Sequence, residues 1–152
     1  PNGTGRTNRS ELFGTDFTVL YRPFRGDGKM TTVRLQTEWV LRRNQVPGDV
    51  LQDLNGYVQG TYRFLPRWEA GARWELGTPE FGQDGEVPDT ALDPHWTSNR
   101  HRTSGALTFR PTEFSRLRLQ GARDAADWMA APGWTAFLAF EVNAGAHGAH
   151  SF

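Results

Sequence analysis

The chain has 152 residues, 17 Lys+Arg against 17 Asp+Glu, no Cys, 17 Gly, 6 Trp and a mean hydropathy of −0.63. A length near one domain argues against a multidomain enzyme, and zero formal charge against a nucleic-acid binder held by a basic surface; without Cys there is no disulfide frame, thiolate metal site or thiol nucleophile. The longest purely apolar run, Ala136 to Phe140, is far short of the roughly 20 residues of a membrane helix, so a helical membrane protein is excluded.

Residues 1–10 are polar or Gly/Pro and read as a loop or frayed start, with no signal-peptide pattern. From Glu11 on, seven stretches alternate with the period of two that a strand with one apolar face requires. The first sets Phe13, Thr15, Phe17, Val19 and Tyr21 against Gly14, Asp16, Thr18 and Arg22, with Leu20 as an exception. The second sets Val33, Leu35, Thr37, Trp39 and Leu41 against Arg34, Gln36, Glu38 and Arg42, and the third Gly56, Val58, Gly60, Tyr62 and Phe64 against Tyr57, Gln59, Thr61 and Arg63. Trp68, Ala70, Ala72, Trp74 and Leu76 oppose Glu69, Gly71, Arg73 and Glu75 in the fourth; Thr103, Gly105, Leu107 and Phe109 oppose Ser104, Ala106, Thr108 and Arg110 in the fifth. The short sixth opposes Leu117 and Leu119 to Arg116, Arg118 and Gln120. The last sets Trp134, Ala136, Leu138, Phe140, Val142 and Ala144 against Thr135, Phe137, Ala139, Glu141 and Asn143. Apolar residues at i, i+2, i+4 rather than i, i+3, i+4 predict an all-β chain, with one helical turn at most, over Asp124–Ala130.

Connections are expected to alternate: short near Pro23–Lys29, Leu65–Arg67 and Pro111–Glu113, long near Arg43–Asn55, Gly77–Arg100 and Gly121–Gly133. The short turns share an aromatic and an Arg before proline (Tyr21-Arg22-Pro23, Tyr62-Arg63 ahead of Pro66, Phe109-Arg110-Pro111), a weak internal repeat of a two-strand hairpin.

Such alternation is written alike by a soluble β-sandwich or lipocalin-like binding module and by a membrane barrel whose apolar face meets lipid. Four features favour an antiparallel up-and-down transmembrane β-barrel. Strands of about ten residues match a tilted crossing. Aromatics gather at strand ends, as an interfacial girdle does. The expected turns are short at one end and long at the other. An apolar face rich in Gly and Ala would fill a sandwich core poorly. Seven strands are an odd number and leave two bare edges, so residues 11–152 are expected to be the C-terminal portion of a larger barrel, paired with its remaining strands.

The closing stretch, Trp134 to Phe152, resembles the last strand of bacterial outer-membrane proteins, which end in an aromatic residue. The resemblance implies an insertion signal at Phe140, Val142 and Phe152 read by the barrel-assembly machinery, and a place in the bacterial outer membrane. Arg102–Gln120 with the Gly145–Phe152 tail is similar to the end of porin-like barrels labelled zinc-regulated or TonB-dependent outer-membrane receptors; the sequence shows no plug or TonB-box segment. The implied function is that of a porin or transporter, part of a water-filled pore for small solutes or ions, with outer-membrane lipid as surroundings.

The polar set expected to line the lumen is Asp16, Arg22, Arg34, Glu38, Arg42, Arg63, Glu69, Arg73, Glu75, Arg110, Arg116, Arg118 and Glu141. Such charges set the field of a pore, and also pair across strands simply to hold a wall together. His147 and His150 are weak metal candidates, since residues three apart on a strand face opposite ways. His95 and His101 flank a stretch with Asp84, Glu86, Asp89 and Asp93 that acidic solvation explains as well. No metal or cofactor is assigned. No Gly-x-Ser-x-Gly or His-Glu-x-x-His motif occurs; a barrel enzyme stays as the minor alternative.

Overall fold

The computed structural model describes residues 3–23, 31–88 and 96–143, and in it the period-two segments are strands. They are β1 (Ser10–Tyr21), β2 (Thr32–Val46), β3 (Asp49–Leu65), β4 (Trp68–Gly77), β5 (Arg100–Thr112), β6 (Ser115–Ala126) and β7 (Gly133–Val142). All seven form one antiparallel up-and-down sheet in chain order, each strand hydrogen-bonded to its chain neighbours. There is no helix among the described residues.

Alternation within a strand gives that strand two faces; register decides whether neighbouring faces coincide, because a slip of one residue turns a whole strand over. Here they coincide across the sheet. Val19 lies opposite Leu35, Leu35 opposite Gly60, Gly60 opposite Ala72, Ala72 opposite Gly105, Gly105 opposite Gly121, and Gly121 opposite Ala136. The apolar residues of seven strands therefore make one continuous surface. The polar residues make the other, and a recess of about 630 Å³ opens on that polar side.

Several connections differ from expectation. The stretch Arg43–Asn55 is not a long loop: β2 and β3 continue through it, β1 pairing with β2 as far as Ser10 opposite Asn44 and β3 running past the end of β4, and close in a two-residue turn at Pro47-Gly48, where Gly48 has φ +83°. That left-handed backbone suits glycine. β6 continues through Asp124 to Ala126, and of the helical turn expected over Asp124–Ala130 only one hydrogen-bonded turn forms, in which Met129 N–H donates to the Ala126 carbonyl at 3.0 Å. Only the connection between β4 and β5, residues 78–99, is long, and one of the tightest turns lies at the end assigned to long loops. Loop length therefore does not distinguish the two ends as expected. A register shift between Arg63 and Leu65 also takes Phe64 out of the ladder.

Almost nothing apolar is inside. Among the described residues the buried hydrophobics are Val50 (2% exposed), Leu51 (6%) and Ala122 (2%). The first two sit on the part of β3 that runs past β4, and the start of the long connection lies along them through paired hydrogen bonds between Gln52 and Phe81. By contrast Leu138 is 73% exposed, Trp134 76%, Phe140 67% and Phe17 63%. The sheet has an apolar face without a second layer on it.

Candidate functional site

The polar face is laid out in rows by the register. One row runs Asp16, Glu38, Tyr57, Glu75, Arg102, Asp124 from β1 to β6. Four residues nearer the opposite end, about 13 Å at strand rise, another runs Leu20, Arg34, Thr61, Gly71, Ala106, Gln120. The next carries Arg63, Glu69, Thr108 and Arg118. Acidic residues thus gather toward the Pro47-Gly48 end, and arginines toward the Pro66-Arg67 end. The neutral composition hides a separation of charge along the strands.

The arginine-rich half is concave, with a recess of about 630 Å³ whose lining includes eight Arg and two Glu. Small side chains make its floor: Thr61, Gly71 and Ala106 on β3, β4 and β5, with Ser104 and Thr108 buried beside them. Long side chains from both flanks rise around this floor. Glu69 is shared by Arg63 (3.6 Å) and Arg110 (3.3 Å), and Glu75 by Arg73 (2.8 Å) and Arg102 (3.8 Å). Arg102 also reaches Asp124 at 3.6 Å, and Arg116 pairs with Glu141. Tyr57 orders the middle of the wall: its ring lies 3.7 Å below the Arg73 guanidinium, and its hydroxyl donates to Glu38 and accepts from Gln36.

Nine of the expected lining residues meet in this recess: Arg22, Arg34, Arg63, Glu69, Arg73, Glu75, Arg110, Arg116 and Arg118. The arginines of the repeated turn motif, Arg22, Arg63 and Arg110, are all among them, while their aromatic partners Tyr21, Tyr62 and Phe109 belong to the apolar face. The repeat is thus alternation brought to the same end three times. Glu38 lies one step along, in a second recess toward the acidic end; Asp16 faces Glu38 across the β1–β2 ladder, and Glu141 stands beside Arg116.

Arg42 belongs elsewhere. It sits on β2 opposite Leu12 and Asp53, past the level of Trp39, and donates to Asp53 and Glu80, both at 2.6 Å. The hydrogen bond to Asp53 raises its pKa further above the usual guanidinium value, with the two nearby carboxylates outweighing its partial desolvation. Arg42 therefore stays charged at every ordinary pH.

Arg102, Asp53 and Asp124 were not in the expected set. Arg102 continues the parity of Ser104 and Ala106, so carrying the fifth alternation one step back finds it; Asp53 and Asp124 lie in stretches assigned to loops. His101 is on β5 at the apolar face, its ring stacked on Trp74 at 5.8 Å. His95, His147, His150 and Phe152 fall outside the described residues. No group of three or more metal-ligating side chains occurs among the described residues.

The apolar face has its own order. Trp68 and Trp74 on β4, like Trp134 and Phe140 on β7, are six residues apart, about 20 Å along a strand. Between them on the same face lie Ala70 and Ala72 on β4, and Ala136 and Leu138 on β7. The aromatics at the acidic end shift by four residues of register from Phe13 on β1 to Trp134 on β7, the stagger that tilted strands need for their ends to stay level. Trp39 lies flat on Gly56, where an added Cβ would come within 2.4 Å of its ring. Its indole donates to Thr37 Oγ1 at 2.7 Å, and that hydroxyl donates to the Tyr57 carbonyl at 2.8 Å. The outward polar atoms at this point are satisfied internally.

In comparisons with known proteins, no family, curated protein or solved structure matches this chain.

Proposed function

We propose that these strands are part of the wall of an outer-membrane β-barrel of porin or transporter type, with the apolar face against lipid and the polar face lining a water-filled path. The observation that carries this reading is the continuous, exposed apolar face of a sheet that has almost no hydrophobic core. In water, each large apolar side chain left uncovered forgoes about 1.5–3 kcal/mol of burial, and a soluble sandwich recovers it with a second sheet. Lipid recovers it without one. The aromatic belts at the two ends, the register stagger and the small residues between the belts fit the same surroundings.

The sheet's edges, β1 and β7, have no partner strand among the described residues. Bare strand edges in lipid leave backbone groups unpaired at several kcal/mol each, so in this reading both edges are closed by further barrel strands. Phe140 and Val142 stand exposed at the end of β7 on the lipid-facing side, where an assembly machinery reading a terminal aromatic pattern would meet them. The path itself is lined by paired charges over small side chains, an arrangement suited to passing hydrated solutes.

Flotation with lipid vesicles tests the reading. The refolded chain is expected to float with the vesicles and to resist extraction by alkaline carbonate. A chain that stays monomeric and soluble without detergent, and remains at the bottom of the gradient, overturns it.

A further inference from the structure

The polar face carries more positive charge in one place than its carboxylates can pair. The recess lining has a formal excess of six positive charges. Its two glutamates each serve two arginines, and among the described residues Arg34 and Arg118 have no acidic partner. These two stand on opposite flanks, Arg34 on β2 and Arg118 on β6, with the small floor of Thr61, Gly71 and Ala106 between them.

The donors are specific as well as numerous. The Nε atoms of Arg63, Arg73 and Arg118 are buried from solvent and have no hydrogen-bond acceptor. A buried donor without an acceptor costs about 1–3 kcal/mol, and in native proteins such groups are nearly always satisfied. All three belong to residues that line the one recess, so acceptors are missing there, and a small turn of each side chain would present its Nε–H to a solute in it. Guanidinium groups donate in a planar fork that matches the two oxygens of a carboxylate or a phosphate edge.

We infer that this recess binds small oxyanions, solutes bearing a carboxylate or phosphate group, with Arg34 and Arg118 as the opposed anchors and the Arg63 and Arg73 Nε–H groups as further donors. The floor row of Thr61, Gly71 and Ala106 lies about 13 Å along the strands from the acidic row, whose Glu75 and Arg102 border the recess on that side, so the site is centred on the Pro66-Arg67 half of the face. Its floor is closed to bulk: at Gly71 an added Cβ would already touch Thr61 Cγ2 at 3.3 Å. The inference deepens the pore reading by naming the solute class its wall would hold.

Titration of the refolded chain in detergent with inorganic phosphate, followed by nuclear magnetic resonance of the arginine Nε–H groups, tests it. Phosphate is expected to give saturable shifts at Arg63, Arg73 and Arg118, with chloride at equal ionic strength giving none. Arg34→Gln combined with Arg118→Gln is expected to weaken binding at least about tenfold, the loss expected for charge-assisted hydrogen bonds. Ala106→Phe, which fills the floor and keeps every arginine, is expected to do the same, whereas Arg123→Gln, on the other face, leaves binding unchanged. Shifts that never saturate, that chloride reproduces, or that survive both the double variant and Ala106→Phe overturn the site. Failure of the pore reading shows separately, as phosphate binding by a chain that is soluble without detergent and does not float with vesicles.

Discussion

Trp39 and Gly56 show how single residues are matched on the exposed apolar face. Glycine weakens a strand through its backbone entropy, yet here its missing side chain is the space in which an indole lies flat, with the indole N–H satisfied by Thr37. Gly56→Ala puts a Cβ within 2.4 Å of that ring, so the Trp must leave its place; the expected cost is about 1–3 kcal/mol, read as a lower urea midpoint for the refolded chain in detergent. Arg42 is a different case. Its partner Asp53 is only 5% exposed, and Arg42→Gln leaves that carboxylate with Asn55 as its remaining side-chain donor. A loss of about 1–3 kcal/mol is expected by the same measurement, without any effect on phosphate binding in the recess 

At the level of strands, the two faces make opposite predictions for one substitution. Leu138 on β7 and Gln120 on β6 are on different faces of adjacent strands. Leu138→Arg puts a guanidinium on the face assigned to lipid and is expected to cost about 2–4 kcal/mol when placed near mid-bilayer, whereas Gln120→Arg on the recess side is expected to be nearly neutral. Folding yields into vesicles of graded urea content compare the two. If Leu138→Arg is neutral or raises solubility, the face does not meet lipid.

Strand order and face assignment were legible in the sequence because a period of two survives wherever one face is apolar. In the second alternation, Val33, Leu35, Thr37, Trp39 and Leu41 keep one parity and occupy one face. The extension of β2 and β3 was not legible, for a physical reason. From Arg43 to Gln52 polar residues such as Asn44, Gln45, Asp49 and Gln52 fall on both parities. Without an apolar face there is no alternation to read, and Pro47-Gly48 then looks like one turn in a loop. The recess was half legible: parity named its arginines, but which of them share a glutamate and which have none depends on cross-strand register, and register is not written in any one strand.

For the molecule as a whole, zero net charge proves to be the sum of two unlike ends. Carboxylates gather toward the Pro47-Gly48 turn and guanidinium groups toward Pro66-Arg67, on the same polar face. The exposed apolar surface, the thin core and the edges left open among the described residues are the observations on which the proposed lipid-covered sheet rests.

The central claim is that the two faces meet two different solvents. The chain has no Cys, so single cysteines carrying a nitroxide can be placed along β6 from Arg116 to Gly121 without altering any native thiol, and their collision rates measured with oxygen, which concentrates in lipid, and with a water-soluble nickel chelate. In vesicles, positions 117, 119 and 121 are predicted to respond to oxygen and positions 116, 118 and 120 to the nickel chelate, alternating residue by residue. Equal access of the chelate to both sets, or shielding of 117, 119 and 121 from both reagents as in a covered core, would contradict it.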